Sequence, residues 1–204
     1  PREAKLMPRP RATLALVGAS LLVFAAMHLL AREAVVRPLL ISEYTSPILP
    51  EIRGGEWWRL LTPVFLHFSL FHLVFNLLWV WELGRLIEAR HGAFALLAVT
   101  AALGASSNLA QYFASGPGFG GMSGVLYGYF GYLWVQGRFN PAFGIRLAPP
   151  VVALLFGWFA LCWSGVLKLF GLHIANSAHT GGLLGGAALA FLAMAAPRMR
   201  GRPT

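Results

Sequence analysis

Aspartate is absent from all 204 residues, and the seven acidic side chains are glutamates that lie in connections or toward one end of an apolar run. Any serine–histidine chemistry here therefore favours a dyad over a triad with an acidic third member. Cysteine is nearly absent too: Cys162 stands alone in an apolar run, which excludes an intrachain disulfide and says nothing about redox. Charge is scarce, at 11% of residues against 57% hydrophobic. That balance excludes a soluble domain of this size, for which about a quarter of residues carry charge.

The chain is rich instead in long apolar runs, at about 12–31, 71–89, 93–113, 123–137, 149–169 and 174–196. All but the fourth approach or exceed the ~20 residues of a spanning helix. The expected fold is all-α: one polytopic membrane domain over 1–204, a bundle of six transmembrane helices. A cytoplasmic lead-in (1–11), a long outer-leaflet loop (32–69) that is partly membrane-embedded, and a cytoplasmic tail (197–204) complete it. No cleavable signal peptide is expected, because no small-residue cleavage site clearly follows the first run. The chain begins at Pro1 and not at a methionine, which leaves room for a segment upstream.

The net charge of +9 reads as topology and not as nucleic-acid binding. With the N-terminus inside, eleven of the sixteen Lys and Arg residues fall on the inner side, so both termini are expected to be cytoplasmic. In the 32–69 connection, Trp57 and Trp58 suit an aromatic belt, and Arg59 can reach headgroups or loop carbonyls. His28 and His173 read as interfacial side chains, and His67 more often as structural than functional. His72 and Asn76, four apart on one helix face, can present two N–H groups to one developing oxyanion. Glu88, between Gly84 and Gly92, reads as a carboxylate that bonds loop amides.

The sequence ASGPGFGG ends the third run and delivers Ser123 to the start of the fourth. From Ser123 to Gly137 that helix rises roughly 22 Å, short of a hydrocarbon core about 30 Å thick. Its serine therefore hangs inside the bilayer, beside glycine backbone that permits close approach. Gly124 and Gly128 make one small-residue seam, and Ala178, Gly182 and Gly186 on the sixth run make its natural mate. Packing the seams brings His179 to Ser123, at matching depth. A neutral imidazole can then take the hydroxyl proton, Tyr127 lies one turn on as a ring for it to pack against, and the Ser123 amide joins His72 and Asn76 as an oxyanion donor.

These motifs together resemble the rhomboid intramembrane serine protease family, of the bacterial GlpG type. The resemblance rests on E-x-W-R-x-x-T at Glu56, Trp58, Arg59 and Thr62, H-x-x-x-N at His72 and Asn76, and G-x-x-x-E-x-x-x-G at Gly84, Glu88 and Gly92. It continues in G-M-S-G-V-L-Y at Gly121, Ser123, Gly124 and Tyr127, and in A-H-x-x-G-x-x-x-G at Ala178, His179, Gly182 and Gly186. It implies Ser123 as nucleophile, His179 as base, no metal or cofactor, and transmembrane proteins as substrates, cut near their outer end at a small P1 residue. It also implies a bacterial inner-membrane location with the active site opening outward, and gate candidates at Phe75 and on the aromatic fifth helix, Trp158 included. Pro63 departs from the family pattern, where close relatives carry histidine, and that puts a loop hydrogen bond in question. A silent client-binding relative would lack the serine or the histidine. A channel or transporter would more often show paired charges or interrupted helices near the midplane.

Overall fold

The computed structural model describes residues 9–196, which are helical with no strand among them. Most of the expected lead-in and the whole 197–204 tail lie outside the described residues. Six long helices carry the architecture: α1 (Arg11–Leu29), α2 (Leu70–His91), α3 (Ala93–Ser115), α4 (Ser123–Phe139), α5 (Pro149–Trp163) and α6 (Asn176–Ala195). By length and apolarity α1, α2, α3 and α6 are long enough to cross a membrane. The other two are shorter, α4 at 17 residues and α5 at 15.

The fifth run, expected over 149–169, stops at Trp163. Gly165, with φ at +80°, turns the chain in a left-handed conformation that suits glycine, and a separate 3-10 turn comes next at Val166–Phe170. The Ser164 hydroxyl accepts the Val166 amide at 3.2 Å and fixes the break.

α4 is the centre of the bundle, buried along most of its length. That setting explains how a short helix can carry a polar N-terminus, since its first turns meet protein before they meet lipid. α6 lies directly against it, with glycine facing glycine. A Cβ at Gly182 would run into the Gly124 carbonyl oxygen, and one at Gly186 into the Gly128 carbonyl oxygen. On the other side of α4, the Gly128 position is closed by Leu103 and the Gly124 position by Ser107, both of α3. Without a hydrophobic drive between helices in lipid, such close backbone contact is what holds two of them together.

α1 has no capping side chain of its own at Pro10. Glu88 of α2 supplies one: its carboxylate accepts the Ala12 and Thr13 amides, each at 2.8 Å, and the Thr13 hydroxyl at 2.7 Å. A negative charge at a helix N-terminus satisfies orphan amides and meets the positive end of the dipole. Val80–Gly84 in α2 is a single π-helical turn, and Gly84 lies against Thr13.

The connection between α1 and α2 is folded through short helical turns around one buried guanidinium. Arg59 donates to Glu56 at 2.6 Å and to the carbonyls of Arg37 and Leu40 at 2.7 and 3.0 Å. Thr62 donates to the Leu39 carbonyl at 3.0 Å, and Trp58 Nε1 to that of Pro38 at 3.2 Å. Glu51 accepts from the Ser42 hydroxyl and the Glu43 amide. Asn108 and Tyr112 of α3 bond the connection at Leu60, Tyr44 and Ser46, so it is tied to the bundle.

This packing leads to two expected outcomes. Gly186→Val should lower folding stability by on the order of 3 kcal/mol, because the obstruction is backbone and cannot move aside; the midpoint of detergent-monitored unfolding measures it. The Glu51 carboxyl is pushed up by burial, but the Glu43 amide, the Ser42 hydroxyl and nearby Arg59 outweigh this and hold it below the usual carboxylate range. Its contribution is therefore present above the unfolded pKa and lost as pH falls through the lowered folded value. The protection factor of the Glu43 amide, its exchange rate relative to the intrinsic rate at each pH, should fall on acidification in the parent, and Glu51→Gln should abolish that dependence.

Candidate active site

The chain reaches Ser123 through backbone that only glycine permits. Gly121 has φ at +119°, and its amide donates to the Pro63 carbonyl at 2.9 Å. A Cβ on Gly120 would meet Leu66, and one on Gly121 would sit 2.5 Å from His72 Cε1 and 2.7 Å from its Nε2. The α1–α2 connection and the start of α2 thus clamp the approach to the serine. Pro63 presents its carbonyl at this clamp, a bond that needs no side chain from that position.

Ser123 is the first residue of α4, and its hydroxyl lies 2.9 Å from His179 Nε2 of α6. His179 is 4% exposed, and its Nδ1 has no partner among the described residues. The Tyr127 ring covers the imidazole, with centroids 4.7 Å apart and planes 37° apart, while its hydroxyl donates to the Leu155 carbonyl of α5 at 3.3 Å. Three elements meet at one imidazole: α4 gives the hydroxyl and the ring, α6 the base, and α5 the carbonyl that anchors the ring. A serine and an imidazole at this separation can exchange a proton, and the start of α4 directs free amides at whatever binds there.

His72 lies over Gly121, two residues before Ser123. Asn76 is buried one turn on, with one amide N–H committed to the His72 carbonyl at 2.7 Å and its Oδ1 unpartnered among the described residues. Only part of the Asn76 amide is thus free to donate. Phe75 and Trp158 touch across α2 and α5, centroids 5.3 Å apart. Gly124 stands on the α4–α6 seam. Glu56, Trp58 and Arg59 belong to the α1–α2 connection, and Glu88 of α2 is committed to the start of α1. His28 bonds its own helix at Phe24, and His173 is exposed.

Some contributors carried no signal that sequence spacing could have raised. Gln111 accepts the Ala178 amide at 3.1 Å and steadies the first turn of α6. Asn176 donates to the Cys162 carbonyl at 2.9 Å and ties α6 to the end of α5. His67 is wholly buried, with its ring 5.1 Å from that of His72 and its Nδ1 donating to the Phe65 carbonyl. Its place two residues after Phe65 gives no period or face from which this could be read.

This is a polytopic helical membrane protein that holds a serine–histidine pair inside its bundle. The chain belongs to the rhomboid family, whose domain model, described as the Rhomboid domain, matches residues 54–196. It is similar to proteins named Rhomboid protease GlpG from Salmonella choleraesuis (strain SC-B67), Salmonella newport (strain SL254) and Salmonella typhimurium. Each is 38% identical over 174 residues, which is 85% of this chain and 60% of the relative. The chain thus spans about 60% of the length of these curated relatives.

Gly121→Ala should displace His72 and strain the approach to Ser123 at once. Labelling of Ser123 by a fluorophosphonate should fall, while the α4–α6 seam stays packed and the helical circular dichroism is unchanged.

Proposed function

We propose that the chain is an intramembrane serine endopeptidase that hydrolyses peptide bonds in or near transmembrane segments of other proteins. The observation that carries this reading is the Ser123 hydroxyl 2.9 Å from His179 Nε2 at a buried helix start. The names of the GlpG relatives support the same class of reaction.

His179 Nε2 takes the hydroxyl proton as Ser123 Oγ bonds the scissile carbonyl carbon, and the carbonyl electron pair moves to oxygen. The Ser123 amide, a His72 ring N–H and the remaining Asn76 N–H are the donors for that oxyanion. His179 returns the proton to the leaving amine nitrogen as the carbon–nitrogen bond breaks, which leaves an acyl-serine. Water then repeats the cycle, with His179 as base and then acid. Tyr127 sets the plane of the imidazole, the task a third polar residue performs in a triad.

In this reading all 204 residues form one rhomboid domain in the bacterial inner membrane, with both termini cytoplasmic and the site open to the outer face. The Phe75–Trp158 contact is the closed gate between α2 and α5. A transmembrane substrate enters where it parts.

The test is cleavage of a model transmembrane substrate with a small P1 residue, in liposomes, with mass spectrometry of the products. The parent should cut near the outer end of the substrate helix. Ser123→Ala and His179→Ala should each retain helical structure and lose activity by at least about 10⁴-fold, and Asn76→Ala by roughly 10². Residual cutting by Ser123→Ala would reassign the nucleophile, and an inert, folded parent would favour a client-binding role.

A further inference from the structure

α5 is too short to reach across the bilayer, and the turn after it is apolar and uncovered. Its 15 residues rise about 22 Å, while a hydrocarbon core is about 30 Å thick. Its first turn cannot sink to make up the difference, because exposed Arg146 lies only three residues before Pro149 and requires water or headgroups. The last turn of α5 therefore stops inside the leaflet on the Ser123 side. The chain stays there through the 3-10 turn Val166–Phe170 before it enters α6 at Asn176.

The exposures fit that depth. Leu169 is 83% exposed and Phe170 74%, with Trp163, Val166 and Leu172 uncovered beside them, and no protein element covers them among the described residues. Leu167 points inward and is buried, so the turn has one side on the protein and one side free. Lys168, exposed within the same turn, has the long stem that lets an apolar body sink while the charge reaches headgroups.

We propose that residues 166–172 are a membrane-inserted anchor, with Leu169 and Phe170 held among the acyl chains of the leaflet on the active-site side. The end of α5 from which the segment departs is bonded to the first turns of α6: Asn176 Nδ2 donates to the Cys162 carbonyl at 2.9 Å, and Trp163 Nε1 donates to Thr180 Oγ1 at 3.2 Å. His179 adjoins Thr180. The anchor thus couples the state of the leaflet to the helix that carries the imidazole and to α5, and an outward swing of α5 must drag apolar side chains through lipid. This goes beyond the protease reading, and its primary test does not depend on that reading.

Nitroxide labels at Leu169→Cys and Phe170→Cys, in a Cys162→Ser background in liposomes of phosphatidylcholine and phosphatidylglycerol, report the depth directly. Relaxation by lipid-soluble oxygen should exceed relaxation by a water-soluble nickel chelate at both positions. A label at exposed Arg53→Cys should show the reverse. If the chelate relaxes the 169 and 170 labels as strongly as the one at 53, the segment is in water, the bilayer has thinned to meet α5, and the proposal fails. A second measurement covers the case of a label that perturbs the turn: a fluorophore at Lys168→Cys, in liposomes of the same two lipids, should be quenched more by a nitroxide carried on the lipid than by a water-soluble nitroxide, and the reverse order overturns the anchor. Neither readout requires catalysis, so an inactive parent would defeat the protease reading and leave this one to be decided by the labels.

Discussion

The close approach of α4 and α6 is the constraint on which the rest of the structure depends. At Gly124–Gly182 and Gly128–Gly186 the two backbones come so near that no side chain fits between them. Lipid gives helices little hydrophobic reason to associate, so dispersion across this glycine contact stands in for the drive that burial supplies in water. The same contact sets the register of the two helices, and the register sets the separation of Ser123 and His179. A displacement along either axis by one residue, about 1.5 Å, would break a 2.9 Å hydrogen bond. Folding and site geometry are decided by one interface.

Around that interface, buried polar groups tie the elements to one another. Glu88 closes the N-terminus of α1, Arg59 gathers the carbonyls of the α1–α2 connection, and Gln111 holds the first turn of α6. These groups are costly to bury alone and strongly held when paired, so they act as fixed points for an otherwise apolar chain. The connection in turn presses Leu66 onto Gly120, and the start of α2 presses His72 onto Gly121, so segments remote from the serine in sequence shape its approach. Two buried atoms, His179 Nδ1 and Asn76 Oδ1, have no partner among the described residues.

α5 is the contrast to this rigidity. It meets α4 and α2 through aromatic edges and one tyrosine bond, and it runs on into an uncovered turn instead of a packed one. An element held by few interdigitated contacts is the one expected to move, and its neighbours are the elements that hold the serine and the imidazole.

The amino-acid sequence by itself determined the class of the protein, because apolar runs of spanning length and a shortage of charge leave no other solvent for the chain than a bilayer. It also narrowed the candidates for chemistry: with no aspartate, one serine at a glycine break and one histidine on a small-residue seam are few enough to be singled out by spacing and depth. Local rules reached the helix faces because periodicity records them. They did not reach the end of α5, where hydropathy continues past Trp163 although Ser164 and Gly165 turn the backbone. Nor did they reach His67, Asn176 or the amides that Glu88 bonds, since those partners share no period with them and, for Asn176 and Glu88, lie on other helices. Only the tertiary structure decided them, because hydrogen bonds and close contacts between helices depend on register, and register is a property of two helices and never of one.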